Sequence, residues 1–159
     1  MASPEHGVRP STTRQLQRSK GGDSNSYQSG DEVNSLKWNL VTKNADTRNY
    51  FKGLIKLRAA HPAFRSDDAA SVKSNLRFLK SPSEVIAYSL NGAKLGDSWS
   101  SIVVIHNAGT KSASVTLPNK ADWNVVVEGK KAGTRVLRTL SGASSTQVPA
   151  LSTMVLYLK

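Results

Sequence analysis

Apolar and polar positions divide the chain into three stretches with different periods. Between Asp46 and Arg65, Tyr50, Phe51, Leu54, Ile55 and Leu57 recur at i, i+1, i+4, i+5 and i+7, the spacing of one helical face. Asp46 suits a helix start, and Lys56 and Arg58 suit the negative end of the helix dipole. Pro62 forces His61 out of helical geometry, so a helix of about four turns is expected to end there. After Arg65 the pattern alternates. Strands are expected over 73–79, 84–90, 101–107, 112–117, 123–128, 133–138, 145–148 and 152–158, following a connector at 66–71. Asn91-Gly92, Asn107-Ala108-Gly109, Pro118-Asn119, Glu128-Gly129 and Ser141-Gly142 supply the turns between them.

Many short strands at this spacing predict a mainly β fold, an antiparallel β-sandwich preceded by a loop and one helix. Residues 21–45 hold three glycines among small polar side chains and read as a long irregular loop. Residues 1–20 have no apolar period and read as a disordered or atypical arm. The expected organisation is therefore an arm at 1–20, a loop plus helix at 21–66 and a β-sandwich at 67–159.

Five apolar side chains on the helix, at roughly 1.5–3 kcal/mol each for full burial, represent about 8–15 kcal/mol. That equals the whole stability of an ordinary domain, roughly 5–15 kcal/mol. The face is therefore expected to dock on the sandwich or on another chain.

Composition narrows the chemistry. At 38% apolar and 6% aromatic, the 159 residues support an aliphatic core, and no apolar run is long enough to span a membrane. The absence of cysteine excludes disulfides, thiolate catalysis and cysteine zinc sites. No signal-peptide h-region is visible at the N-terminus, which leaves the compartment open between secreted and cytoplasmic. A net charge of +11 is compatible with an anionic partner. The basic residues are scattered, however, with no run beyond two and no interleaved aromatics, so a solvated basic surface is the simpler reading.

LIKLRAAHPAFR at 54–65 resembles the last barrel helix and exit segment of the α-amylase superfamily of glycoside hydrolases. GGDSNSYQSGDEVNSLKWN at 21–39 narrows the resemblance to type I pullulanases, the α-1,6-glucan debranching enzymes. Their loop after the eighth barrel strand is similar to Asp23-Ser24-Asn25-Ser26-Tyr27, with a Val33, Asn34 and Trp38 element behind it. The resemblance covers roughly 18–159 and implies that the sandwich is the enzyme's domain C. It also implies an α-glucan partner (pullulan, starch or glycogen) held by the parent barrel, and no cofactor, nucleic acid or membrane. The implied reaction is retaining hydrolysis of α-1,6 bonds by two carboxylates about 5–5.5 Å apart.

No residue here inherits that catalysis. None of the eleven acidic residues lies in a segment matching the family's catalytic motifs, and the pairs Asp31-Glu32 and Asp67-Asp68 read as loop charges. The three histidines lack metal-ligand spacing, and there is no Gly-x-Ser-x-Gly elbow. The expected function is that of a pullulanase-type fragment, structural and cleft-shaping, not catalytic alone. Asp23, Asn25 and Tyr27 are the candidate glucan contacts in the loop; the alternative for Asp23 and Asn25 is closure of Asx turns. Trp99, between Asp97 and Ser100, is expected in a surface loop as a sugar platform, Trp123 as core or edge packing, and Trp38 as a wedge between loop and helix. The rival functions are a stand-alone carbohydrate-binding module and a basic nucleic-acid-binding domain.

Overall fold

The computed structural model describes residues 17–159; the expected arm lies outside them up to residue 16. The chain forms two compact units, one ending at Phe51 and the other comprising Lys52–Lys159. The division falls inside the long helix.

In the first unit the expected irregular loop is a series of short helical turns. Lys20–Gly22 and Ser26–Gln28 are 3-10 turns, α1 spans Asp31–Asn34 and α2 spans Asn39–Lys43. Asp31 and Glu32 occupy the first turn of α1, where the dipole favours negative charge. Trp38 does not wedge the loop: it precedes α2 and is 71% exposed. The long helix, α3, spans Ala45–Ala60, so Asp46 lies in its first turn and the helix stops just before His61-Pro62.

The second unit is an antiparallel sheet of seven strands: β1 (Leu76–Phe78), β2 (Val85–Asn91), β3 (Ser101–Asn107), β4 (Ala113–Glu128), β5 (Lys131–Ala132), β6 (Arg138–Val148) and β7 (Ser152–Leu158). Their order is β1-β2-β3-β7-β4-β5, with β6 also paired to β4. β4 joins two layers. Its second half pairs with β7 through Asn124↔Tyr157 and Val125↔Leu156, while β6 runs beside both halves. The sheet folds back on itself there, because Val115, Leu117 and Val148 pack with Val85, Ala87, Val103, Ile105, Met154 and Leu156 in one cluster. Trp123 lies in that cluster at zero exposure, and its indole N–H donates to the Asn119 carbonyl at 3.1 Å.

Three strand expectations give way to specific local chemistry. Residues 69–75 are helical, forming α4 (Ala69–Asn75), because Asp68 caps them by accepting from the Ala70 and Ser71 amides. The expected turn at Pro118-Asn119 is a pair of register shifts inside β4, so the strand continues through it. Residues 133–137 are not strand, and β6 starts earlier than expected, at Arg138.

The C-terminal half of α3 and its exit segment pack within the second unit. Leu57 and Ala63 are buried. A Cβ on Gly53 would fall 1.9 Å from the Ala132 carbonyl oxygen, so only glycine lets the helix run this close to the β5 backbone. The rest of the apolar stripe is divided: Tyr50 and Leu54 are half-buried, while Ile55 is 60% exposed and Phe51 is also exposed. The sheet therefore takes part of the apolar face expected to be covered.

Candidate functional site

Residues 17–34 are held by a polar clamp centred on Asn34. Its amide nitrogen donates to the Ser26 and Ser29 carbonyls at 2.8 and 2.6 Å, and its amide oxygen accepts from Lys20 Nζ at 3.1 Å. Lys20 Nζ also donates to the Ser26 hydroxyl. Arg18 Nη2 donates to the Val33 carbonyl at 2.6 Å. The clamp presents the 3-10 turn carrying Tyr27, whose ring is 88% exposed.

Asp23 does close an Asx turn. Its Oδ1 accepts from the Asn25 amide at 2.9 Å, and its Oδ2 accepts from the Ser29 hydroxyl. The Ser29 hydroxyl foremost, then the Asn25 amide, hold its carboxyl below the ordinary carboxylate range and keep it ionised. The Asn25 side chain caps nothing. A cleft of about 410 Å³ in the same unit is lined by Arg18, Lys20, Glu32, Val33, Lys37 and Leu40 among others, but not by Asp23, Asn25 or Tyr27. The structure thus brings these three together on one turn and leaves them outside the cleft beside it.

The expectation for Trp99 is corrected. It is 6% exposed, and its indole stacks on His61 at 3.4 Å between ring centroids and on Tyr157 at 3.8 Å. No open aromatic surface is left for a sugar. Trp99 does lie in a loop, but the exposure expected of it there fails because the residues that cover it are distant in sequence.

Those residues form a joint between the helix exit and the sheet. The Asp97 side chain is fully covered. Its Oδ1 accepts from His61 Nδ1 at 2.8 Å and from the Trp99 amide at 3.0 Å, and its Oδ2 accepts from the Ala63 amide at 3.1 Å. Burial pushes its carboxyl pKa up, but the His61, Trp99 and Ala63 hydrogen bonds and the His61 charge together outweigh this, and the net shift is downward. Sequence reasoning missed Asp97 and Tyr157 as partners. The available signal was a His held in extended geometry by Pro62 at the helix exit.

Among the described residues no group of three or more His, Cys, Asp or Glu side chains is placed to hold a metal. Among them, too, no helix is long and apolar enough to cross a membrane.

Residues 72–131 match the family model described as "Pullulanase, all-beta domain". That match places the folded sheet in the class of all-β domains that pullulanases carry. The chain is 34% identical over 144 residues to the pullulanase of Bacillus subtilis (strain 168), covering 89% of this chain and 19% of that protein. The pullulanase structure from Bacillus acidopullulyticus superposes with a TM-score of 0.83 at 38% identity, over 90% of this chain and 17% of that one. The type I pullulanase of Bacillus subtilis strain 168, solved in complex with maltose, gives 0.81 at 32% identity over 91% and 20%. By these matches the chain is a pullulanase-type fragment, spanning about a fifth of the length of the curated relative it matches.

Proposed function

We propose that this chain braces the catalytic barrel of a glucan-debranching glycoside hydrolase, helps shape its substrate cleft and performs no chemistry alone. In this reading residues 21–66 are the end of the barrel and residues 67–159 a β-sandwich of the domain C type, formed by the sheet folded over at β4. The observation that carries it is the half-covered face of α3. Leu57, Ala63 and the His61–Asp97 joint fix one side to the sheet, while Phe51 and Ile55 are left exposed. An apolar helix face split in this way fits an element shared between two packed bodies.

The exposed turn at 23–27 supports a glucan contact. The Tyr27 ring offers an apolar face for a pyranose, the ionised Asp23 carboxylate accepts from hydroxyls, and the uncommitted Asn25 amide does both. Trp99 we assign to bracing instead. The partner is an α-glucan, the class to which the maltose bound by the Bacillus subtilis relative belongs. No residue of this chain is assigned to bond cleavage.

The test is association with a barrel. Bacillus subtilis pullulanase truncated ahead of its matched stretch is mixed with the purified chain and passed over a sizing column. Co-elution that Ile55→Asp weakens at least tenfold is expected. Separate elution of folded partners would overturn the bracing role.

A further inference from the structure

Three rings cross neighbouring strands on the outer face of the sheet. Phe78 of β1 pairs with Tyr88 of β2, and their ring centroids are 6.4 Å apart. Tyr88 lies 6.3 Å from the ring of His106 on β3. The register Ile86↔His106↔Thr153 carries the row on to β7. By the two-residue period of the strands, this face is opposite the core face that carries Val85, Ala87, Val103 and Ile105. Phe78 is 76% exposed, and Ile86 and His106 are exposed beside it. Tyr88 between them is half-buried, and Leu90, Ile102 and Val104 farther along the same face are buried, so the open part of this face is the end that carries Phe78, Ile86 and His106.

The row has the chemistry of a neutral polyol site. Its side chains carry no carboxylate and no permanent cation, on a chain whose net charge is +11. Rings alternate with hydrogen-bonding groups: the Tyr88 hydroxyl, the Thr153 hydroxyl and the His106 imidazole. His106 Nδ1 is held 2.9 Å from Thr153 Oγ1, which fixes the ring and leaves Nε2 for a ligand. Partial burial holds the imidazole pKa below its ordinary value, so the ring is neutral at neutral pH. The three rings are mutually inclined, at 70° for the first pair and 41° for the second. A flat crystalline sheet of chains would not fit such a surface, whereas a single coiled chain presents successive sugar faces at an angle.

We infer that the Phe78–Tyr88–His106 row is a second α-glucan-binding surface, separate from the 23–27 turn, that holds one soluble chain by ring stacking and edge hydrogen bonds. It rests on the glucan reading above for its ligand class. Stacking places the apolar C–H face of a pyranose on Phe78 and Tyr88, and the rim hydroxyls meet His106 and Thr153.

The experiment titrates maltohexaose into the isotopically labelled 159-residue chain and follows backbone amide shifts, with Phe78→Ala and Tyr27→Ala variants in parallel. Expected are saturable shifts on β1, β2 and β3, at least a tenfold affinity loss at this face in Phe78→Ala, and an unchanged response there in Tyr27→Ala. Phe78 is mostly in solvent, so its variant keeps the native spectrum elsewhere, and His106→Gln supplies a second reading without removing a core side chain. Shifts confined to the 23–27 turn, or none at all, would overturn the inference. So would loss of the β-face shifts when the barrel fragment is added, which would make the face an interface between domains. The bracing role would survive each of these results, because it is read from co-elution.

Discussion

At the residue scale, buried polar groups hold the second unit together through complete sets of partners. Asn107 is the clearest. Its amide nitrogen reaches the Lys111, Val148 and Pro149 carbonyls at 2.9, 3.2 and 2.9 Å, and its oxygen accepts from the Gly109 amide at 2.9 Å. Asn107→Ala leaves those groups without partners and is expected to destabilise the chain by about 2–4 kcal/mol in urea unfolding. Leu151 makes the opposite case. It holds φ at 47° while its side chain is exposed, so Leu151→Asn removes little packing and relieves left-handed strain; a gain of about 1 kcal/mol is expected by the same measurement. Asp97 adds a pH dependence of known sign. Its folded pKa lies below the ordinary 3.8, so its contribution is fully present above that value and is lost as pH falls through the folded pKa. The stability gap between the wild type and Asp97→Asn is therefore expected to narrow steadily as pH falls below 4. A gap independent of pH would contradict an ionised Asp97 in the joint.

At the element scale, the long helix and the central strands were legible because their periods are unambiguous. β3 and β7 fall at 101–107 and 152–158 as alternation predicts, and α3 ends where Pro62 demands. What the pattern hid depended on one side chain or on distant partners. Asp68 made the connector and the first residues of the strand expected at 73–79 helical through two amide contacts, leaving 76–78 as β1, and Pro118 was absorbed into β4 as a register shift instead of reversing the chain. Trp99 reads as a loop residue from its polar neighbours, and only the return of His61 and Tyr157 from elsewhere in the chain buries it. The approach of α3 to β5 gives a test of docking. Gly53→Ala raises intrinsic helix stability by about 1 kcal/mol, but its methyl meets the Ala132 carbonyl. Thermal unfolding is expected to show a net loss of about 1–2 kcal/mol. A net gain would mean that the helix does not rest on the strand.

At the scale of the whole molecule, the parts fit the supporting role proposed above. The sheet has its own aliphatic core, the joint at His61 and Asp97 ties the helix exit to it, and part of the helix face remains uncovered. Likeness to the pullulanases was legible from two short motifs, 21–39 and 54–65, and the matches extend it over about nine-tenths of the chain. The glucan contacts we propose were less legible. The 23–27 turn is a candidate from its motif, whereas the aromatic row on β1, β2 and β3 depends on strand register that no local pattern reveals. Lone aromatic residues separated in sequence become neighbours only when the ladder is formed.

The most direct test of the central claim is release of reducing ends from pullulan by the purified 159-residue chain, alone and with the truncated barrel of the Bacillus subtilis relative. The account predicts no release by the chain alone and release when the two are combined. Hydrolysis by the chain alone would contradict it and place catalytic carboxylates among Asp23, Asp31 and Glu32.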